Sequence, residues 1–219
     1  MKFNLIDIEN WSRKQYFKHY LNTVRCTYSM TANIDITNLL QEIKLKKLKL
    51  YPTLIYMLAA VVNNHQEFRT CFDEKGNLGY WDSLSPSYTI FHKENETFSS
   101  IWTEYDKSFS CFYNNYLDDI KNYGDILEFI PKSNEPANTF PISSIPWVNF
   151  TGFNLNIYND AKYLIPIFTM GKYFEQDNKI LLPLSIQVHH AVCDGFHTSR
   201  FINEMQELAL NYQTWLKDK

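Results

Sequence analysis

The sequence predicts an α+β fold, a two-layer sandwich in which a mixed, largely antiparallel sheet is covered by helices. Segments with the two-residue alternation of strands cluster between Phe68 and Trp102 and again between Ile142 and His190. Segments with helical spacing lie at both ends and between these clusters, without the regular alternation of a parallel sheet. No repeat and no Gly/Ser-rich linker divides the 219 residues, so a single domain is expected over 1–219. A chain of this length buries about 70–75% of the surface its unfolded form exposes, and disulfide staples are unnecessary.

The elements follow in order. Asn10 is a candidate N-cap for a helix carrying Trp11, Phe17, Tyr20 and Leu21 to about Asn22. Arg13 lies in its first turn, a poor place for a cation beside the helix dipole, so it is expected to answer a carboxylate elsewhere. Cys26 to Ala32 reads as a strand, and Asp35 or Thr37 can cap a short helix through Leu39, Leu40 and Ile43. Pro52 suits the first turn of a second helix, whose Leu54, Ile55, Leu58, Val61 and Val62 are apolar nearly all round and therefore buried. Phe68 to Phe72, Leu78 to Trp81, Tyr88 to His92 and Thr97 to Trp102 resemble an antiparallel meander. A helix over Ser108 to Tyr123 ends at Gly124, and Pro131 to Pro141 reads as loop. Extended segments follow at Ile142 to Trp147, Phe153 to Tyr158, Pro166 to Glu175 and Lys179 to His190, the last two joined by a turn at Asp177-Asn178. Phe201, Met205, Leu208, Ala209, Tyr212 and Trp215 share one face of a final helix.

Composition excludes several classes. A net charge of −3 gives no nucleic-acid footprint, and the four lysines between Ile43 and Leu50 read as a solvated helix end. The longest apolar run, Leu54 to Val62, is far short of a membrane span. Asp7 and Glu9 break the order of a secretory signal, so a cytoplasmic location is the default. Cys26, Cys71, Cys111 and Cys193 form no C-x-x-C pair and read as free thiols. The six glycines make neither a dinucleotide fingerprint nor a phosphate-cradling loop. Aromatic residues at 16% hint at an aromatic-lined pocket.

The strongest strand carries the chemistry. Leu182, Leu184, Ile186, Val188 and His190 fall on one face and His189 on the other. An ionisable group closing an apolar row at a strand end is well placed for catalysis. Other readings are satisfied core histidines, an ordinary turn at Asp194-Gly195, a metal site from His189, His190, Asp194 and His197, or Cys193 as a nucleophile. The spacing matches no zinc pattern, no metal is expected, and Cys193 lacks the flanks of a thiol protease.

Gln187-Val188-His189-His190-Ala191-Val192-Cys193-Asp194-Gly195-Phe196-His197 resembles the active-site signature of the chloramphenicol acetyltransferases. Further similarity runs through Asn10 to Lys14, Tyr51-Pro52, Tyr80 to Ser83, Thr89 to His92, Glu96 to Ser99, Pro146 to Phe150, Phe153 to Asn156 and Phe168 to Tyr173. The resemblance implies a CoA-dependent acyltransferase-like fold and an antibiotic-resistance activity, acetyl transfer from acetyl-CoA to the primary hydroxyl of chloramphenicol. It further implies a homotrimer with active sites at subunit interfaces, His190 of one subunit facing a pocket built largely by its neighbour, including Tyr20, Ser143 and Thr169. It implies no bound cofactor, acetyl-CoA being a co-substrate.

A neutral alcohol is a weak nucleophile, so a positioned base must take its proton, and His190 is the candidate. The tetrahedral oxyanion needs a donor, which the family pattern puts at Ser143 with Ser144 as nearest competitor. By the same resemblance Asp194 pairs with Arg13 as structural support, and the imidazole is oriented mainly by its own main-chain carbonyl. Tyr20, Cys26, Tyr28, Phe98, Phe153, Leu155 and Thr169 are the implied drug contacts, with Trp147 and Tyr173 on the CoA side. Two alternatives are the acyltransferase core of 2-oxo acid dehydrogenase complexes, which typically reads Asp-His-Arg where this chain has His189-His190-Ala191, and a non-catalytic module that binds an aromatic ligand.

Overall fold

The alternating segment that ends in the paired histidines forms an eleven-residue strand inside the main sheet. The computed structural model describes residues 1–157 and 162–216. Strands β1 (Phe3–Leu5) and β2 (Thr27–Asp35) are separated by helix α1 (Lys14–Lys18) and a π-helical turn (His19–Thr23). Helices α2 (Thr37–Leu45) and α3 (Leu50–Asn64) lead through a 3-10 turn (Gln66–Arg69) to β3 (Thr70–Phe72), β4 (Leu78–Trp81), β5 (Ser85–His92) and β6 (Thr97–Trp102). Then come α4 (Phe109–Tyr123), β7 (Thr139–Ile145), β8 (Ile167–Gly171), β9 (Phe174–Gln176), β10 (Lys179–His189) and α5 (Gly195–Leu210), followed by a short 3-10 turn (Tyr212–Thr214).

The main sheet runs β2-β10-β8-β7-β5-β6, with β9 paired to the start of β10. Its pairs are antiparallel except β5 with β7 and β7 with β8, which makes it mixed and largely antiparallel as expected. The registers align Met30, Ile186, Phe168, Ile142, Tyr88 and Ile101 in one row across six strands. All but Met30 are buried, in the core shared with the helices. The neighbouring row carries Thr31, Ser185, Thr169 and Ser143 and faces the opposite way. Helix α3, apolar around its circumference, packs against both α4 and α5.

Several expectations need correction. The meander is split: β4 pairs with both β1 and β3 in a separate three-stranded sheet, and only β5 and β6 join the main one. Side chains cause the break. Arg69 donates to the carbonyls of Trp81 and Asp82, and the Asn63 amide brackets Leu84, accepting from its N–H and donating to its carbonyl at 2.8 Å each. Backbone groups satisfied in this way cannot continue a ladder. Asn10 caps no helix, because its amide donates to Asp7 at 2.6 Å in an exposed turn ahead of α1. Asp35 supplies the acceptor for α2, taking the Thr37 N–H at 3.1 Å and hydroxyl at 2.6 Å. β7 begins inside the expected loop, and Pro166 to Glu175 is two strands. Residues 153–157 form no strand, and Tyr158 lies outside the described residues. The Asp177-Asn178 turn is as expected, with both residues left-handed at φ 51° and 59°. Among the described residues no helix is long and apolar enough to cross a membrane.

Phe168 is fully buried, stacked on Phe201 at 4.8 Å and edge-on to Phe140 at 5.7 Å. Phe168→Ala should therefore cost ~3–5 kcal/mol of stability, measured by denaturant unfolding at matched protein concentration. A loss below ~1 kcal/mol would mean that this row is not the core of the sheet.

Candidate active site

His190 is the first residue past β10, and its N–H donates to the Cys26 carbonyl at 2.9 Å, extending the contact with the β2 side by one step. The chain then turns, with the His189 carbonyl accepting the N–H groups of Val192 and Cys193 at 3.1 Å each. This brings the Cys193 carbonyl to 3.0 Å from His190 Nδ1. A carbonyl oxygen only accepts, so the proton sits on Nδ1 and the lone pair on Nε2. Among the described residues Nε2 has no partner. Tyr20, aimed by the π-helical turn, stacks on the imidazole at 3.8 Å and 11°, and Tyr28 meets its edge at 5.3 Å. Burial pushes the Tyr28 phenol up to about 12, so it stays neutral, its hydroxyl 3.3 Å from that of Thr198.

Arg13 clasps this turn from outside. Its Nη1 donates to Asp194 Oδ2 at 2.8 Å, while Nη2 and Nε approach the carbonyls of His190 and Ala191 at 3.4 and 3.5 Å. Asp194 is the N-cap of α5, and its N–H donates to His197 Nδ1 at 3.1 Å. Burial acts to raise the Asp194 carboxyl, but the Arg13 hydrogen bond and neighbouring positive charge prevail and hold it below the usual carboxylate range. Among the described residues no hydrogen bond joins Asp194 to the His190 ring, so the Asp supports the turn and not the imidazole. Cys193 is buried, and burial pushes its thiol well above its ordinary range, the opposite of an activated nucleophile. Among the described residues no three His, Cys, Asp or Glu side chains gather at metal-binding distance.

A second feature lies across the sheet. β5 and β7 pair from Ser85 and Thr139 only as far as Tyr88 and Ile142, although both strands continue. The Tyr51 hydroxyl donates to the freed Thr89 carbonyl at 3.2 Å and replaces the missing strand partner. A cavity of about 630 Å³ opens in this fork. Thr89, Ile90 and Phe91 line it from one prong and Ser143, Ser144 and Ile145 from the other. Successive strand residues face opposite ways, so the cavity passes through the sheet. Phe98, Phe153, Leu155 and Thr169 also line it, as do the exposed rings of Trp147 and Tyr173. Among the described residues the Ser143 hydroxyl has no hydrogen-bond partner.

The sequence-predicted residues thus fall into two groups. Tyr20, Cys26, Tyr28, Arg13 and Asp194 gather around His190, whereas Ser143, Thr169, Phe98, Phe153, Leu155, Trp147 and Tyr173 belong to the cavity. Ser185 lies in the row of Thr169 and Ser143, and His190 is five residues further along the chain. At ~3.3 Å per residue and ~4.8 Å per strand, His190 and Ser143 of one chain stand roughly 19 Å apart. No pair of side chains spans that gap.

A family model described as chloramphenicol acetyltransferase matches residues 1–206. A chloramphenicol acetyltransferase of Clostridium perfringens is 77% identical over 219 residues, covering 100% of both chains, and one of Clostridium butyricum is 76% identical over the same span. The chain belongs to the chloramphenicol acetyltransferase family. A solved chloramphenicol acetyltransferase superposes with a TM-score of 0.82 at 22% identity, over 95% of this chain and 100% of the other. The cubic core of the pyruvate dehydrogenase multienzyme complex shares the fold, with a TM-score of 0.67 at 16% identity over 99% and 94% of the two chains.

Three details expected from the family resemblance are corrected. The imidazole is held by the Cys193 carbonyl, because its own carbonyl faces Arg13. Tyr20 stacks on the His190 of its own chain and is not brought by a neighbour. The Arg13–Asp194 pair is only partly buried, with the Asp194 side chain 39% exposed in the isolated subunit. Tyr51 and Thr89 were missed as site residues, since nothing in a sequence signals where two paired strands part.

Arg13→Ala should cost ~1–2 kcal/mol, short of the ~3–5 kcal/mol of a fully buried pair because solvent screens Asp194. Its folded carboxyl is held low, so the pair's contribution is present above the unfolded-state value and disappears as pH falls through the folded one. Thermal melts across acid pH should therefore show parent and Arg13→Ala converging. Curves that stay parallel would exclude the ion pair as the source of the difference.

Proposed function

We propose that the protein transfers an acetyl group from acetyl-CoA to the primary hydroxyl of chloramphenicol, inactivating the antibiotic, with acetyl-CoA as a co-substrate and not a resident cofactor. Full-length identity of 77% to a chloramphenicol acetyltransferase supports the substrates. The observation that carries the mechanism is the 3.0 Å contact between His190 Nδ1 and the Cys193 carbonyl, which commits the proton to Nδ1 and leaves Nε2 free as a base.

Nε2 takes the hydroxyl proton as the alcohol oxygen attacks the thioester carbonyl. The Ser143 hydroxyl donates to the oxyanion that forms. Collapse breaks the carbon–sulfur bond, and the imidazolium returns its proton to the leaving thiolate. Ser143 is preferred over Ser144 because it shares a row with Thr169, whereas Ser144 lies opposite Met170 on the other face. Phe98, Phe153, Leu155 and Thr169 receive the drug together with Tyr20, Cys26 and Tyr28, and Trp147 and Tyr173 flank CoA.

The gap of roughly 19 Å supports a site shared between copies, His190 of one subunit meeting the cavity of the next. A homotrimer closes three such contacts, each subunit a single domain over 1–219, acting in the bacterial cytoplasm. Neither a nucleic acid nor a membrane enters this scheme.

His190→Ala should lower kcat by ~10²–10⁴, and Ser143→Ala should lower kcat by ~10–10³ with little change in KM, both measured by thiol release from acetyl-CoA with chloramphenicol. An effect of Ser143→Ala confined to KM would demote it to binding. Unfolded together and reassembled, the two impaired variants should give a rate above that of either one alone, in particles near three times 26.0 kDa. An active monomer, or mixed assemblies no faster than the separate variants, would exclude the shared site.

A further inference from the structure

We propose that His189, the other histidine of the adjacent pair, is the positioning residue that locks its neighbour into the base tautomer. The proposal rests on the reading of His190 as the base and adds a role for the adjacent side chain.

The side chain of His189 is 2% exposed and points away from the apolar row of β10. Its Nδ1 lies 3.1 Å from the Ala191 nitrogen. A main-chain N–H only donates, so Nδ1 is the acceptor and the ring proton sits on Nε2. That Nε2–H is buried and has no acceptor among the described residues. An apolar side chain would fill the same space without stranding a donor, so filling space does not explain the residue. What the imidazole supplies is the acceptor at Nδ1.

That acceptor completes the turn. The N–H groups of Ala191, Val192 and Cys193 all end on His189, the first on the ring and the other two on the carbonyl. All three residues are buried, out of reach of bulk solvent. With the turn closed, the Cys193 carbonyl stands 3.0 Å from His190 Nδ1. The adjacent histidines therefore carry opposite tautomers, Nε2–H in the first and Nδ1–H in the second, and the second depends on the first. Burial, and secondarily the charge of His190, disfavour protonation of His189 and preserve its acceptor.

Three substitutions and one spectrum test this. Asn places its oxygen as many bonds from Cβ as Nδ1, Gln places it one bond further, and Leu has no acceptor. His189→Asn should keep kcat within about threefold of the parent, while His189→Gln and His189→Leu should lose about tenfold or more with KM changed less than about twofold. The acid limb of kcat/KM should stay in place for Asn and move for Gln. Equal losses in Asn and Gln would overturn the proposal. The parent itself supplies a test independent of variant folding. With ¹⁵N-labelled histidine in the native assembly at neutral pH, His189 should show an unprotonated Nδ1 and His190 an unprotonated Nε2. A proton on Nδ1 of His189 would overturn it whatever the variants do. Absence of thiol release by the parent with chloramphenicol would instead sink the reading of His190, leaving the tautomer assignment of His189 intact.

Discussion

The register of β10 between β2 and β8 is the constraint on which the site depends. Ile186 lies opposite both Met30 and Phe168, and the row continues through Ile142, Tyr88 and Ile101. A slip of one residue would turn the whole set to the other face. Such a slip would bring the polar side chains of Ser185, Gln187 and His189 into the row now held by Leu184, Ile186 and Val188, where core neighbours offer them no partners. The same register fixes the hydroxyl row of Thr31, Ser185, Thr169 and Ser143, and it fixes where the strand ends. Core energetics thus determine where His190 leaves the sheet, and the turn and Arg13 only refine its direction.

The cavity has a related cause. A parallel pair is slightly less stable per residue than an antiparallel one, and β5 and β7 give up their ladder after four residue pairs. Leaving the part-buried Thr89 carbonyl without a partner would cost stability, and the Tyr51 hydroxyl on α3 takes the place of the lost strand. Tyr51 also meets Tyr88 edge-on at 6.1 Å, so its ring is held by the last residue before the fork. The passage through the sheet is therefore part of the packing between α3 and β5. A helix that is apolar nearly all round lines the cavity with Leu50 and Leu54 and closes the fork with the Tyr51 hydroxyl.

Much of this was legible in the sequence where a local pattern has one solution. The apolar row of β10, the buried α3, the face of α4 and the Asp177-Asn178 turn follow from periodicity and backbone preference. The motif around His190 was legible as chemistry only through its family resemblance, because histidines at a strand end have bland readings too. The split of the meander depends on Arg69 and Asn63 binding backbone groups elsewhere in the chain, a tertiary choice that no window around Leu78 to Trp102 contains. β1 is three residues long and too short for periodicity to mark. The carbonyl that orients His190 is equally hidden, for Arg13 and Cys193 divide the available partners only after the turn has closed.

The division of the site has a further consequence under the proposed assembly. Thioesters are also attacked by water, and a base held beside bound acetyl-CoA would spend the acyl group without an acceptor. In one chain His190 and its Tyr20 stack stand roughly 19 Å from Ser143, so on the proposed roles an unassembled subunit has a base with no oxyanion donor and a cavity with no base. Each half is organised independently, the first by the turn after β10 and the second by the fork between β5 and β7. Docking two copies then joins preorganised parts and needs no folding step at the reacting centre. On the proposed reading, the catalytic geometry comes into being with the interface, and acetyl transfer is confined to the assembled protein.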